Sequence, residues 1–138
     1  MDRKINNGYE MSKLKVLIVE DDKSLSNLYD VALPGDLFEK KFMDNGTEAM
    51  GAYLSWKPEV IILDILLPGK CGYTILEEIR GKWNDQTTTI VVSSCLDEKS
   101  SVSDCNDLGI QGYIVKPFDP LVLEAKVAAL LRRTPPAP

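Results

Sequence analysis

Histidine is absent from the 138 residues. Its absence excludes His-based catalytic triads, imidazole metal sites and a phosphohistidine on this chain. Cysteine is sparse: Cys71, Cys95 and Cys105 form an odd, scattered set without a C-x-x-C pair. That pattern argues against a disulfide framework or a zinc site and leaves free thiols as the expectation. Clustered positive charge is also lacking. Lys and Arg number 16 against 21 Asp and Glu, a net charge of −5, and the basic pair Arg132-Arg133 closes a helix, where cations suit the dipole. Direct nucleic-acid binding is therefore not expected. No apolar run approaches a membrane span, and the N-terminus lacks the apolar core of a signal peptide, so a cytoplasmic protein without membrane contact is expected. What is present, 44% hydrophobic and 27% charged residues, is an ordinary globular composition, long enough for one domain with a single core.

Apolar runs and helical periodicities alternate along the chain. Residues 1–13 are polar and without periodicity, an expected flexible extension. Val16-Leu-Ile-Val19 reads as a strand ending in Glu20-Asp21-Asp22. Leu25, Leu28, Tyr29, Ala32 and Leu33 fall at helical spacing, stopped by Pro34-Gly35. Leu37 to Met43 is a weaker strand, and Asn45-Gly46 a turn. Thr47 is then the expected cap of a helix bearing Ala49, Met50, Tyr53 and Leu54. Val60 to Leu63 is a third strand, and Tyr73 to Arg80 a short helix with Ile75, Leu76 and Ile79 inward. Thr89 to Val92 is a fourth strand followed by Ser93-Ser94. A feebly amphipathic helix over Asp97 to Leu108 has Val102, Cys105 and Leu108 as its apolar members and Gly109 as its stop. Tyr113-Ile-Val115 is the last strand, and Asp119-Pro120 starts a helix with Leu123, Val127, Leu130 and Leu131 inward. Short, almost wholly apolar strands alternating with helices predict a doubly wound, five-stranded parallel α/β sheet covered on both faces. Thr134 to Pro138 is Pro-rich and cannot continue the last helix.

The polar residues collect where such a sheet places its site, beyond the carboxyl ends of the strands. Asp64 ends the run Val60-Ile-Ile-Leu-Asp64 just before Leu67-Pro-Gly69, although an unpaired buried carboxylate is costly. The first strand contributes Glu20, Asp21 and Asp22, the fourth Ser93 and Ser94, and the fifth Lys116. Singly, each has a bland reading: a capped helix start, a turn, a surface lysine. Together they suit phosphoryl transfer to a carboxylate, with Asp64 as nucleophile. Asp21 and Glu20 offer hard oxygen ligands for Mg²⁺. Lys116 supplies a fixed positive charge, and Ser94 a hydroxyl that can donate to a phosphate on Asp64.

The runs Val16-Leu-Ile-Val-Glu-Asp-Asp22, Ile62-Leu-Asp-Ile-Leu-Leu-Pro-Gly69 and Tyr113-Ile-Val-Lys-Pro-Phe118, with Ser94 between them, carry a resemblance. Over residues 14–133 the chain resembles the receiver domain of two-component response regulators, a flavodoxin-like fold. The spacings from Asp64 to Ser94 and from Ser94 to Lys116 match that family and select Ser94 over Ser93. The resemblance implies Asp64 as phosphoacceptor and Asp21 as the chief Mg²⁺ ligand. Glu20 would help directly or through water, and the backbone carbonyl of Leu66 would join the coordination. It implies Ser94 and Tyr113 as a switch pair, with the Tyr113 ring moving from an exposed to a buried rotamer, and a cis bond between Lys116 and Pro117. A histidine kinase or histidine phosphotransfer protein would be the donor, and a homodimer or a downstream effector domain the output. Partners would read the weak helix after Ser94, the edge strand and the last helix. The domain would be no enzyme beyond its own phosphorylation and slow autodephosphorylation.

Several positions depart from the family pattern. Cys95 and Leu67 replace commoner small and Met residues with little expected consequence, and Cys71 replaces a common Asp. Leu66 and Leu96 stand where side chains influence attack of water on the phosphate, and two leucines predict slow self-hydrolysis. A haloacid-dehalogenase-type phosphatase would need a second Asp at position 66, and a flavodoxin-like carrier would need a phosphate-cradling first loop instead of Glu-Asp-Asp. A degenerate receiver, docking or dimerising without phosphorylation, is the alternative that shares the fold. The tail over 134–138 reads as the start of an interdomain linker, with a freestanding regulator as the other reading.

Overall fold

The computed structural model describes residues 13–95 and 99–133. The rest of the expected N-terminal extension, Leu96, the first residues of the helix expected from Asp97, and the Pro-rich tail lie outside them. Among the described residues, five strands alternate with five helices: β1 Leu14–Val19, α1 Lys23–Ala32, β2 Phe38–Met43, α2 Gly46–Trp56, β3 Val60–Asp64, α3 Gly72–Glu77, β4 Thr89–Ser94, α4 Lys99–Leu108, β5 Gly112–Val115 and α5 Pro120–Arg133. The sheet is parallel throughout, in the order β2-β1-β3-β4-β5. The doubly wound architecture expected from the alternation of apolar runs is therefore the one found. Strand order reverses between β1 and β3, and the crevice beyond that reversal is where such sheets place ligands.

Alternation along the strands divides the core. Val16, Ile18, Val60, Ile62, Val91 and Ile114 face one side, where Tyr29 and Ala32 of α1, Leu33 just after it and Leu123 of α5 cover them. Leu17, Val19, Ile61, Leu63, Ile90 and Val92 face the other, against residues of α2, α3 and α4. Burial on both faces is why β3 is buried at every position. Ile75, Leu76 and Ile79 are buried as their spacing predicts. The side chains of Val127, Leu130 and Leu131 lie outside the description.

The helices differ from expectation at their ends. Asn45, not Thr47, caps α2, since its Oδ1 accepts the Glu48 N–H at 2.9 Å from an extended backbone while Thr47 is already helical. On that helix Leu54 is 42% exposed and Ala52 takes the inward position. β2 begins at Phe38, leaving Leu37 exposed. α3 starts at Gly72 and widens into a π turn over Glu78–Lys82 instead of running regularly to Arg80. Arg80 is turned inward and only 6% exposed. It donates to the carbonyls of Gly109, Asp85 and Thr88 at 2.8, 2.8 and 2.7 Å and to Gln111 Oε1 at 3.2 Å. One guanidinium thus satisfies three backbone acceptors between elements, something no local pattern reveals. Ser93 and Ser94 belong to β4 rather than to a turn after it.

Candidate functional site

Glu20, Asp21 and Asp22 follow β1 directly, yet they have three different surroundings. Asp22 caps α1, its Oδ1 accepting from Ser24 N at 2.8 Å and Leu25 N at 3.2 Å. Asp21 is exposed. Glu20, only 3% exposed, continues the inward alternation of Val16 and Ile18, and its Oε2 accepts the Asp22 N–H at 3.2 Å. Asp64 ends β3 and is 4% exposed, with Oδ1 accepting the Leu66 N–H at 3.0 Å. A Cβ at Gly72 would fall on the Asp64 carbonyl oxygen, so glycine there lets α3 begin tight against the end of β3.

Lys116, one residue past β5, reaches across to both buried acids. Its Nζ lies 3.0 Å from Asp64 Oδ2 and 2.6 Å from Glu20 Oε1. The Glu20 contact is a short ion pair to a buried carboxylate oxygen. Burial works to lower the Lys116 ammonium, but its bonds to Glu20 and Asp64 outweigh this and raise it above its ordinary value. The Glu20 carboxyl is also pushed up, first by burial and further by the Asp64 charge, against the opposing effects of Lys116 and the Asp22 N–H. Carboxylate oxygens of Glu20, Asp21 and Asp64 lie within 4.8 Å of one another. Three carboxylates against one ammonium leave excess negative charge in a part-buried place. A groove of about 350 Å³ between α1 and the β2–α2 turn opens onto Glu20 and Asp21 but is not lined by Asp64.

Of the residues singled out from sequence, the fold brings together Glu20, Asp21, Asp64 and Lys116. Ser94 is fully buried, but it is Ser93 that stands opposite Asp64 in the β3–β4 register. Alternation points Ser94 toward the α2–α3–α4 side, with Val92. Tyr113 is half-buried against that same core, so the two expected switch residues share a face. Leu66 is 51% exposed at the rim, Cys71 and Cys95 are exposed free thiols, and Cys105 is a buried one. The Lys116–Pro117 bond is cis. Tyr29, expected only as core, and Ser93, set aside in favour of Ser94, make a buried hydrogen bond of 2.7 Å beneath the site.

The family model for the response regulator receiver domain matches residues 16–128. The chain is 36% identical over 118 residues to the transcriptional regulatory protein KdpE of Staphylococcus aureus, covering 86% of this chain and 50% of that protein. The chain spans about half the length of the curated relatives it matches. Among solved structures it resembles the BeF3-activated receiver domain of DrrB from Thermotoga maritima, with 27% identity and a TM-score of 0.78 over 88% of this chain and 100% of that one. It likewise resembles the BeF3-activated N-terminal receiver domain of RstA from Klebsiella pneumoniae, at 31% identity and TM-score 0.75, covering 86% and 99%. Agreement of sequence and fold over most of its length places this chain in the response regulator receiver family of two-component signalling.

Proposed function

We propose that Asp64 accepts a phosphoryl group from a phosphohistidine on a histidine kinase or histidine phosphotransfer protein, and that the domain acts as a phosphorylation-dependent switch. The supporting observation is the meeting of Glu20, Asp21 and Asp64 at the strand-order reversal, with Lys116 3.0 Å from Asp64. An Asp64 oxygen attacks phosphorus as the phosphorus–nitrogen bond breaks, and the departing imidazole takes up a proton from solvent. Lys116 holds positive charge beside the phosphoryl oxygens, which carry negative charge in the transition state.

The donor set fits a hard divalent cation. Its three carboxylates face a single ammonium, which leaves the cluster short of positive charge. Mg²⁺ would be held by Glu20, Asp21 and Asp64, joined by the Leu66 carbonyl, and would offset the repulsion between Asp64 and an incoming phosphate. Ser94 then donates to the attached phosphate, and Tyr113 follows on the same face. Leu66 offers no polar atom to orient water, so the phosphate is lost slowly and the domain does no other catalysis. Output passes to a second copy or to an effector segment of a longer regulator, the kind of protein whose length this chain half spans. Among the described residues no helix is long and apolar enough to cross a membrane, which fits action in the cytoplasm.

The test is incubation with acetyl phosphate or beryllofluoride, with and without Mg²⁺. One Mg²⁺-dependent adduct per chain is expected, and none on Asp64→Asn. An intact acidic site favours this reading over a docking module that never carries phosphate. Absence of an adduct, or an equal adduct on the variant, would turn the choice to that module.

A further inference from the structure

Tyr29 on α1 is 1% exposed, and a buried phenol needs an acceptor. It donates to Ser93 Oγ at 2.7 Å. Its ring stacks on Phe118, with centroids 5.5 Å apart and planes inclined by 23°. Burial pushes its hydroxyl up to about 12, so it remains a neutral donor across the physiological range. Both ends of this contact lead to the acceptor site. Ser93 is the register partner of Asp64 on the neighbouring strand, and alternation points both side chains to the α1–α5 side. Phe118 stands two residues beyond Lys116, whose own N–H donates to the Ser94 carbonyl at 2.8 Å.

The backbone at Lys116 is therefore tied to β4 twice. One tie runs directly to Ser94, the other through Phe118 and Tyr29 to Ser93. The circuit closes around the residue whose ammonium must lie against Asp64. Fixed charges stabilise a transition state only where the surrounding fold holds them in place, and a displacement of about 1 Å can cost on the order of 10²-fold in rate. We propose that Tyr29 is a positioning residue for phosphoryl acceptance, holding the Lys116 backbone in register with Asp64 through Phe118 and Ser93. Its kinetic consequence rests on Asp64 being the phosphoacceptor. The anchoring itself does not.

Two measurements separate these. The first is the rate of modification by acetyl phosphate with saturating Mg²⁺. Tyr29→Phe keeps the stack and loses the hydroxyl, and slows modification a few-fold. Tyr29→Leu loses both and slows it by roughly tenfold or more. In a Lys116→Met background, Tyr29→Leu adds less than about a twofold further loss, because the tyrosine acts through the ammonium. Leu33→Ala, a cavity in the same core away from the loop, leaves the rate unchanged while the protein stays folded. The second measurement is amide hydrogen exchange on the unmodified protein, where Tyr29→Phe speeds exchange at Lys116 and Phe118 relative to the amides of β1. Equal slowing by Tyr29→Leu in both backgrounds, equal slowing by Leu33→Ala, or unchanged exchange at Lys116 each overturn the proposal. If the wild-type chain takes up no phosphoryl group, the proposed function fails, and the exchange measurement alone decides whether Tyr29 anchors the loop.

Discussion

Lys116 is the positive charge paired with two carboxylates that are 3% and 4% exposed, and its own side chain is 14% exposed. Lys116→Met keeps much of the side-chain volume and removes the charge. Breaking a buried ion pair from one side costs about 3–5 kcal/mol, because the remaining charge stays desolvated. Asp21, exposed beside the pair, lets water share the load, so the lower end, about 3 kcal/mol, is expected in EDTA. For a domain of this size that is a fall in Tm on the order of 10 °C. A divalent cation in the same acidic cluster substitutes for the missing ammonium. With free Mg²⁺ at 100 times its dissociation constant, binding returns about 2.7 kcal/mol. Mg²⁺ also no longer has to share Glu20 and Asp64 with the lysine, so the variant gains more from the metal than the wild type does. The assay is urea unfolding of both proteins, in EDTA and across a Mg²⁺ titration. A stability gap that stays constant with Mg²⁺ would show that ammonium and metal do not occupy a common set of carboxylates.

Three further outcomes follow from the same geometry. Ser94→Ala leaves modification by a small donor largely intact but weakens phosphate-dependent partner binding or dimerisation by tenfold or more, since a hydrogen bond to a charged group is worth about 1.5–3 kcal/mol; unchanged phosphate-dependent binding would remove Ser94 from the switch. Leu66→Asn, which places a water-orienting amide at the rim, shortens the phosphate lifetime after donor removal, and an unchanged or longer lifetime contradicts the slow-hydrolysis reading. Burial works to raise the Asp85 carboxyl, but hydrogen bonds from Thr88, Tyr53 and the N–H groups of Thr88 and Thr87 outweigh it and hold it well below the usual carboxylate range. Its stability contribution is therefore complete above the unfolded value near pH 3.9 and lost as pH falls through the depressed folded value, so the Tm gap between wild type and Asp85→Asn should be widest near neutrality, begin to narrow below about pH 4 and shrink further as pH falls toward the folded value, whereas a gap independent of pH would refute the assignment.

The strands were legible because burial on both faces leaves near-continuous apolar runs, and the site because polar residues interrupt those runs at the carboxyl ends. Roles within the acidic run were not legible. Glu20, Asp21 and Asp22 are chemically alike, and only the strand's alternation and the position of the first helical turn decide which is buried, which is exposed and which caps α1. Helix phase failed at Leu54, where Ala52 supplies the buried contact on α2, and at Thr47, where the preceding Asn has the extended backbone a cap needs. Tyr29 was legible as core but not as a hydrogen-bond donor, since its acceptor lies 64 residues away. Arg80 was hidden for the same reason, its acceptors being carbonyls at the ends of other elements.

The two serines that end β4 face opposite sides of the sheet, and this divides the work of a switch. Ser93 shares a side with Asp64, Glu20 and Lys116, and is held by Tyr29. Ser94 shares the other side with Tyr113. Moving a two-state equilibrium from 1:99 to 99:1 needs about 5.5 kcal/mol of differential interaction, and one charge-assisted bond from Ser94 supplies at most about 3 kcal/mol. The remainder has to come from Lys116, which in the unmodified domain divides its charge between Glu20 and Asp64. On the proposed function, a metal at Glu20 and a phosphate on Asp64 would make the ammonium gain by leaving the former for the latter. That exchange is useful only if the side chain swings while its backbone stays fixed, because a loop that moved with the ammonium would dissipate the gain before it reached Ser94. On the proposed function, a fixed α1–α5 side and an α2–α3–α4 side that changes would be two requirements of one switch, joined at consecutive residues of β4.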